Sequence, residues 1–236
     1  CGATSPQALS TRVIAESADI GIAFDGDGDR VVAVSATGQV IDGDHIMAIA
    51  AIDMAQRGLL RNKGVAVTVM TNLGFHRAME QAGVDVVVTP VGDRSVLAAL
   101  DEYDFVLGGE QSGHIIHRAH ATTGDGLLAA LFLTEYLVRA NVSLDEAASV
   151  MQSYPQVLVN VRTSTRVNDP VSSLGDQLSI MEHDLGRDGR VLVRSSGTEP
   201  LVRVMVEAPT DLIARENAMK LAQLLIDAHG GVVEGH

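Results

Sequence analysis

Positive charge is scarce in this chain: 17 lysines and arginines face 30 aspartates and glutamates, giving a formal net charge of -13 and an isoelectric point near 4.9. No run of consecutive basic residues is long enough to make a nucleic-acid or anionic-membrane footprint, so neither is expected as a partner. A phosphate could be bound only where the few cations are gathered. Cysteine is nearly absent as well. Cys1 stands alone, which rules out an internal disulfide and suggests a reducing, cytoplasmic setting. Long apolar runs are missing too: the most apolar helical stretch, residues 126–140, is interrupted by Thr134, Glu135 and Arg139. With no charged-then-apolar leader either, neither a membrane span nor a signal is expected. There are no internal repeats and no low-complexity tracts.

What is present is an ordinary globular composition, 46% hydrophobic and 20% charged over 236 residues, enough for one large or two to three small domains. The chain opens on Cys1 rather than Met and runs within a few residues into Pro6 and a helix-like stretch, which reads as a fragment of something longer.

The first apolar run, 19–24, stops at Asp25-Gly26-Asp27-Gly28-Asp29-Arg30 and resumes over 31–34, predicting strand, polar loop, strand. A helix is expected from Asp44, with that aspartate as N-cap, to Gly58. Beyond it, strands over 64–70, 84–89 and 105–107 alternate with helices over 74–82 and 94–100. Continuously apolar strands in such alternation indicate a parallel sheet buried on both faces. Two more helices are expected over 123–140 and 143–151. The final third changes character: strands over 157–161, 190–193 and 201–206, a helix over 170–181, and a long helix over 211–228 capped by Thr210. Met219, Leu221, Leu224 and Leu225 recur at helical spacing and are assigned to the core. The fold class expected is therefore α/β, a parallel or mixed sheet with helices on both faces, plus a small C-terminal α+β domain. The main boundary falls near 151–155 and a softer one near Gly43.

Three segments carry chemistry. Asp25, Asp27 and Asp29 stand at alternate positions in a glycine-spaced loop. Three converging carboxylates repel one another unless a hard divalent cation, Mg²⁺ or Ca²⁺, sits among them; the plainer alternative is a solvated acidic turn. An EF-hand is excluded, because Arg30 replaces its glycine, Ala36 replaces its closing glutamate, and strands flank the loop. The second segment, Arg194-Ser195-Ser196-Gly197-Thr198-Glu199-Pro200, lies between two strands. Its hydroxyls, arginine and glycine-freed backbone N–H groups would cradle a phosphate, or form a simple hairpin turn. The third, Gly108 to His114, follows a strand end, where ligands of parallel sheets bind. Its Glu110, Ser112 and His114 offer the donors and acceptors that sugar hydroxyls need. Val91-Gly92-Asp93-Arg94 and Thr122-Thr123-Gly124-Asp125-Gly126 are further polar junctions that could equally be helix caps.

The order DGDGDR, GEQSGH, RSSGTEP is more specific than any one of these, and with VGDR, TTGDG and RVLVRSSGTEPLVRVMVEAP it resembles the α-D-phosphohexomutases over essentially the whole chain. Within that family the resemblance is greatest to phosphoglucosamine mutases, since glucose and mannose phosphomutases tend to differ at Gln111. The resemblance implies four-domain relatives, with 1–43 the end of domain two and its metal loop, 44–152 the α/β sugar-binding domain three, and 153–236 the α+β phosphate-binding domain four. It further implies Mg²⁺ on Asp25, Asp27 and Asp29, with Arg30 and His114 as catalytic groups. Glu110, Ser112, Asp93 and Arg94 would meet the sugar, and Arg194, Ser195, Ser196, Gly197 and Thr198 would hold the non-reacting phosphate, in a domain able to move as a lid. Ser195 stands where related glucosamine enzymes often have proline, which should change loop stiffness more than chemistry. No Ser-His-Asn-Pro-like string, the family's phosphoserine motif, occurs in the chain. The expected activity is therefore an isomerase interconverting glucosamine 6- and 1-phosphate through a phosphoserine and a 1,6-bisphosphate. It would belong to the intact cytoplasmic enzyme, with the missing N-terminal half as partner and the fragment alone inactive; a homodimer is left open. Phosphomannomutase or phosphoglucomutase, a non-catalytic sugar-phosphate-binding module and a metal-stabilised structural domain remain as alternatives.

Overall fold

A computed structural model describes residues 2–3, 5–196 and 199–234, and the chain divides into two compact units, 1–152 and 153–236.

The first unit begins with α1 (Gln7–Glu16) and an antiparallel sheet of β1 (Ile20–Phe24), β2 (Val31–Ser35) and β3 (Val40–Ile41). It continues through α2 (Gly43–Gln56), β4 (Gly64–Thr68), α3 (Leu73–Ala82), β5 (Asp85–Thr89), α4 (Asp93–Tyr103), β6 (Leu107–Gly109), β7 (Ile115–His117), α5 (Gly126–Ala140) and α6 (Leu144–Ala148). The second sheet runs β5-β4-β6-β7 and is mixed: β4 pairs in parallel with β5 and β6, and β7 is antiparallel to β6. Alternation along β4 divides its side chains between two cores. Val65 and Val67 enter the core formed with α2, α5 and α6, whereas Ala66 meets Val96, Ala99 and Leu100 of α4 on the other face. Helix α2 is apolar nearly all round because α3, α5 and β6 all press on it.

The helix cap expected at Asp44 belongs to Asp42, whose side chain accepts the His45 N–H; Asp44 lies inside the helix, fully buried, accepting the Asn72 N–H at 2.8 Å. The strand expected at 105–107 is shifted to Leu107–Gly109, so Gly108 and Gly109, the first two of the third motif's three glycines, are in the sheet. A Cβ on Gly108 would lie 2.5 Å from the Ala66 carbonyl oxygen, which is why small residues let β6 pair so closely. Strand β5 is an edge with Val88 48% exposed, so burial on both faces does not extend to it. The helix expected over 123–140 starts three residues late, at Gly126, where Asp125 accepts the Leu128 N–H as N-cap. That expected over 143–151 shrinks to one capping-box turn, with Ser143 and Glu146 bonding reciprocally.

The second unit is an antiparallel sheet in the order β11-β8-β10-β9: β8 (Gln156–Thr163), β9 (Arg190–Ser195), β10 (Leu201–Glu207) and β11 (Gly231–Val233). Helices α7 (Asp176–Leu185) and α8 (Asp211–His229) accompany it. Val157, Val159 and Val161 alternate inward with Val202, Val204 and Val206 against Ala214, Ala218, Leu221, Ala222 and Leu225 of α8. Each leucine fully buried there contributes about 2 kcal/mol. Met219, assigned to that core from spacing, is 46% exposed on the outer face of α8. The helix expected over 170–181 is broken at Gly175, whose backbone (φ 53°, ψ -137°) cannot continue a helix; a short 3₁₀ turn, Ser172–Leu174, precedes it and α7 follows.

Candidate active site

VGDR and GEQSGH follow the carboxyl ends of β5 and β6, where ligands of parallel sheets bind, while the acidic loop joins β1 to β2 and TTGDG leads from β7 into α5. They are tied to one another by backbone. Between β1 and β2, Gly28 takes a positive φ of 77° and the loop closes on Asp25, whose Oδ1 accepts the N–H groups of Gly28 and Arg30 at 3.2 Å each. The Gly126 N–H, at the start of α5, donates to the Gly28 carbonyl at 3.0 Å, and the Val31 N–H donates to the Gly113 carbonyl at 3.1 Å. The acidic loop is thus fastened to the first turn of α5, whose partial positive charge complements it.

Asp25, Asp27 and Asp29 each offer a carboxylate oxygen within 4.8 Å of the others. Burial pushes the Asp25 carboxyl up, but the Arg30 N–H, the Asp29 side chain, the Arg30 guanidinium and the Gly28 N–H together hold it below the usual carboxylate range. Asp29 Oδ2 sits 2.9 Å from His114 Nδ1, whereas Asp29 Oδ1 is buried without a hydrogen-bond partner. A buried orphan carboxylate oxygen beside two more carboxylates fits a hard divalent cation, which would take three oxygens here and leave positions for water or a phosphate. Arg30 stands at the rim, its side chain 43% exposed and its Nε 3.6 Å from Asp25 Oδ2.

The 110–113 turn is closed by the Gly113 N–H to the Glu110 carbonyl at 3.0 Å and by the Glu110 N–H to the His114 carbonyl at 3.0 Å. Glu110 Oε1 accepts the Gly92 N–H at 3.0 Å, which joins VGDR to GEQSGH, and Ser112 Oγ lies 3.5 Å from Glu110 Oε2. Glu110, Gln111 and Ser112 line an open cleft of about 470 Å³ with Asp42, Thr68 and Met70. Asp93 and Arg94 are exposed at the start of α4, where Asp93 Oδ1 accepts the Arg94 N–H; they do not line that cleft. His114 is only 4% exposed, held from one side by Asp29 and from the other by Gly124.

In the second unit, Arg194 on β9 lies directly opposite Arg203 on β10. Burial first, and the charge of Arg203 second, make the Arg194 guanidinium easier to deprotonate than usual. Like charges opposite each other across strands destabilise a sheet unless an anion lies between them. Arg203 escaped the sequence reading, because period-two alternation within a strand treats it as an ordinary outward polar residue; its register with Arg194 is the missing signal. Ser195 Oγ donates to the Val167 carbonyl, and Ser196 is buried with its Oγ 3.4 Å from the Glu199 nitrogen. Gly197 and Thr198 lie outside the described residues.

Comparison with known proteins gives the chain relatives over almost all its length. The profile of phosphoglucomutase/phosphomannomutase α/β/α domain III matches residues 42–154, and that of the phosphoglucomutase/phosphomannomutase C-terminal domain matches 140–224. Phosphoglucosamine mutase of Frankia alni is 52% identical over 95% of this chain and 50% of its own length. That of Streptomyces griseus is 50% identical over 98% of this chain and 51% of its own. The chain therefore spans about half the length of the curated relatives it matches. Among solved structures, Aspergillus fumigatus N-acetylphosphoglucosamine mutase in complex with GlcNAc-6P and magnesium shares the fold, with a TM-score of 0.76 at 22% identity over 97% of this chain and 53% of that one.

Proposed function

Since the chain belongs to the phosphoglucomutase/phosphomannomutase family, we propose that it is the metal- and substrate-holding part of a phosphoglucosamine mutase, an isomerase that interconverts glucosamine 6-phosphate and glucosamine 1-phosphate. The observation that carries this reading is the meeting of Asp25, Asp27 and Asp29 with one buried Asp29 oxygen left unpaired. Those three carboxylates hold Mg²⁺, which when bound neutralises charge on the phosphoryl group in transfer. Arg30, half-exposed at the loop's rim, adds its guanidinium to the same phosphoryl oxygens. Glu110 and Ser112 engage the sugar hydroxyls in the cleft they line, with Asp93 and Arg94 on the neighbouring loop. Arg194, joined by Arg203, Ser195, Ser196, Gly197 and Thr198, grips the phosphate that is not moving.

In this reading residues 1–43 close the second domain of a four-domain enzyme, 44–152 form the third and 153–236 the fourth, and the phosphorylated serine is supplied from outside these residues. The proposal gives the intact enzyme a 1,6-bisphosphate intermediate and a cytoplasmic location, and gives the 236-residue chain alone no turnover. No helix among the described residues is long and apolar enough to cross a membrane. The family profiles cover glucose and mannose phosphates as well, so a phosphoglucomutase or phosphomannomutase is the second reading.

In the full-length enzyme Asp27→Ala should lower kcat by about 100-fold or more, as expected on losing part of a transition-state charge clamp. Arg194→Ala should raise KM about tenfold and lower kcat little. Steady-state rates on glucosamine, glucose and mannose 6-phosphates check both points. Equal effects of the two variants on kcat and KM would defeat the division of roles, and faster turnover of glucose or mannose phosphate would favour the second reading.

A further inference from the structure

The first unit holds a second cavity, of about 310 Å³, between α2 and α5. Asp42, the N-cap of α2, lines the cleft of Glu110 and Ser112, whereas Asp53 lines this cavity about three turns, roughly 16 Å, further along the same helix. The two are separate. The floor is apolar, made by the buried Ile46, Ile49, Val106 and Leu133. One wall is aromatic: Phe132 has His117 at 4.4 Å and His120 at 5.1 Å between ring centroids, and Tyr136 follows one turn along α5.

The charges that line the cavity are matched within the protein. Asp53 Oδ2 accepts from Arg57 at 3.1 Å and from Arg139 at 2.8 Å, Glu135 accepts from Arg139 at 2.8 Å, and Arg61 pairs with Asp104 at 2.7 Å. Two polar groups are not matched. Among the described residues neither the His117 ring, 5% exposed, nor the Tyr136 hydroxyl has a hydrogen-bond partner. Burial lowers the His117 pKa from 6.5 to about 4, so the ring is neutral at neutral pH and one nitrogen is a bare acceptor whichever tautomer it adopts. A buried acceptor without a donor is costly to a fold, and its place on a cavity wall marks where a donor from outside would fit.

We infer that this cavity is a binding site for an uncharged, flat aromatic molecule of one or two fused rings that carries an N–H or O–H donor. The size agrees, since about 150 Å³ of apolar cavity is enough for benzene. The matched charges leave nothing to offset the desolvation of an ionised ligand. Phe132 and Tyr136 give a flat ring its stacking partners, His117 takes its donor, and the Tyr136 hydroxyl serves a second polar edge. None of this depends on the acidic loop holding a metal.

Indole is the probe, titrated at neutral pH into the ¹⁵N-labelled 236-residue chain. The amides of Ile49, His117 and Leu133 should shift together, with a Kd below about 1 mM, while those of Glu110 and Ser112 stay in place. 1-Methylindole has the same flat body without the donor and should bind about fivefold more weakly. Indole-3-acetate, a carboxylate, should bind about tenfold more weakly or worse. His117→Phe keeps an aromatic ring but removes the acceptor, so it should bind indole and 1-methylindole equally. Ala50→Leu narrows the cavity from α2 and should weaken indole about tenfold, with the dispersion of its amide signals reporting that the fold is kept. Lining amides that do not move, or undiminished binding by a folded Ala50→Leu, overturn the site. Equal affinity of the wild-type chain for the two indoles overturns the donor contact with His117, and tighter uptake of indole-3-acetate or of aliphatic cyclooctanol overturns the ligand class.

Discussion

The two units solve the problem of holding a polar site in different ways. In residues 1–152 the charged side chains sit on cross-bonded loops, through backbone from Gly126 to Gly28 and from Val31 to Gly113, and through side chains between Glu110 and Gly92 and between Asp29 and His114. In residues 153–236 the cations Arg194 and Arg203 are placed by strand register alone, opposite one another on β9 and β10. A cross-bonded cluster fixes oxygen positions to a fraction of an ångström, which a small hard cation requires. A pair of long arginine side chains tolerates the larger and more variable outline of a phosphate. The difference predicts that the first region fails through its backbone and the second through its charge.

Two glycines with left-handed backbones test the first half of that statement. At Gly113, φ is 91° and a Cβ would lie 2.1 Å from the Val31 carbonyl oxygen, backbone that cannot yield. At Gly175, φ is 53° but nothing lies within 4 Å of the added carbon. Gly113→Ala should therefore cost about 4 kcal/mol, conformational strain and clash together, whereas Gly175→Ala should cost only about 1–2 kcal/mol from strain. Urea unfolding followed by amide signals in each region measures both, and equal losses would mean that cross-bonding adds nothing at the 110–113 turn.

A smaller effect belongs to His117, buried at the end of β7 against the Phe132 ring 4.4 Å away. Burial, helped by the charge of His120 and opposed by that of Asp125, pulls its pKa from 6.5 down to about 4. The folded ring binds a proton less well than the unfolded one, so its contribution is complete above about pH 6.5 and is lost as pH falls through about 4. The full loss is roughly 3 kcal/mol. His117→Phe should flatten the acid limb of the stability curve for residues 1–152; an unchanged slope between those pH values would show that the buried imidazole does not titrate as described.

The sequence displayed the acidic 25–30 loop, the 108–114 loop and the 194–200 segment openly as candidate sites, because each gathers polar residue types within a few positions. It carried the α/β alternation for the same reason, since periodicity is local. What it hid was register. The contact of His114 with Asp29 joins residues 85 positions apart, and no spacing rule reports which ring nitrogen faces which loop. Strand β7 is three residues long and follows a tight turn, too short for alternation to mark it. Asp42 and Asp44 are equivalent as caps by composition, and only the buried demand of the Asn72 N–H decides between them. Gly175 interrupts an apolar pattern that reads as one helix over 170–181, separating the 3₁₀ turn from α7.

Register is also what makes Arg203 testable in the sense opposite to an ordinary binding residue. Facing Arg194 directly, it repels a like charge, and in the proposed function it would attract a phosphate. Arg203→Gln keeps the length and polarity of the side chain but removes the charge, so the stability of residues 153–236 should stay level or rise by a few tenths of a kcal/mol. Affinity for glucosamine 6-phosphate should fall about fivefold, with a shallower dependence on salt, as one cation fewer meets the phosphate. Calorimetric titration at two salt concentrations, alongside urea unfolding, reads both signs at once. If stability falls together with affinity, Arg203 is part of the sheet's own support and the paired-cation reading of that surface is wrong.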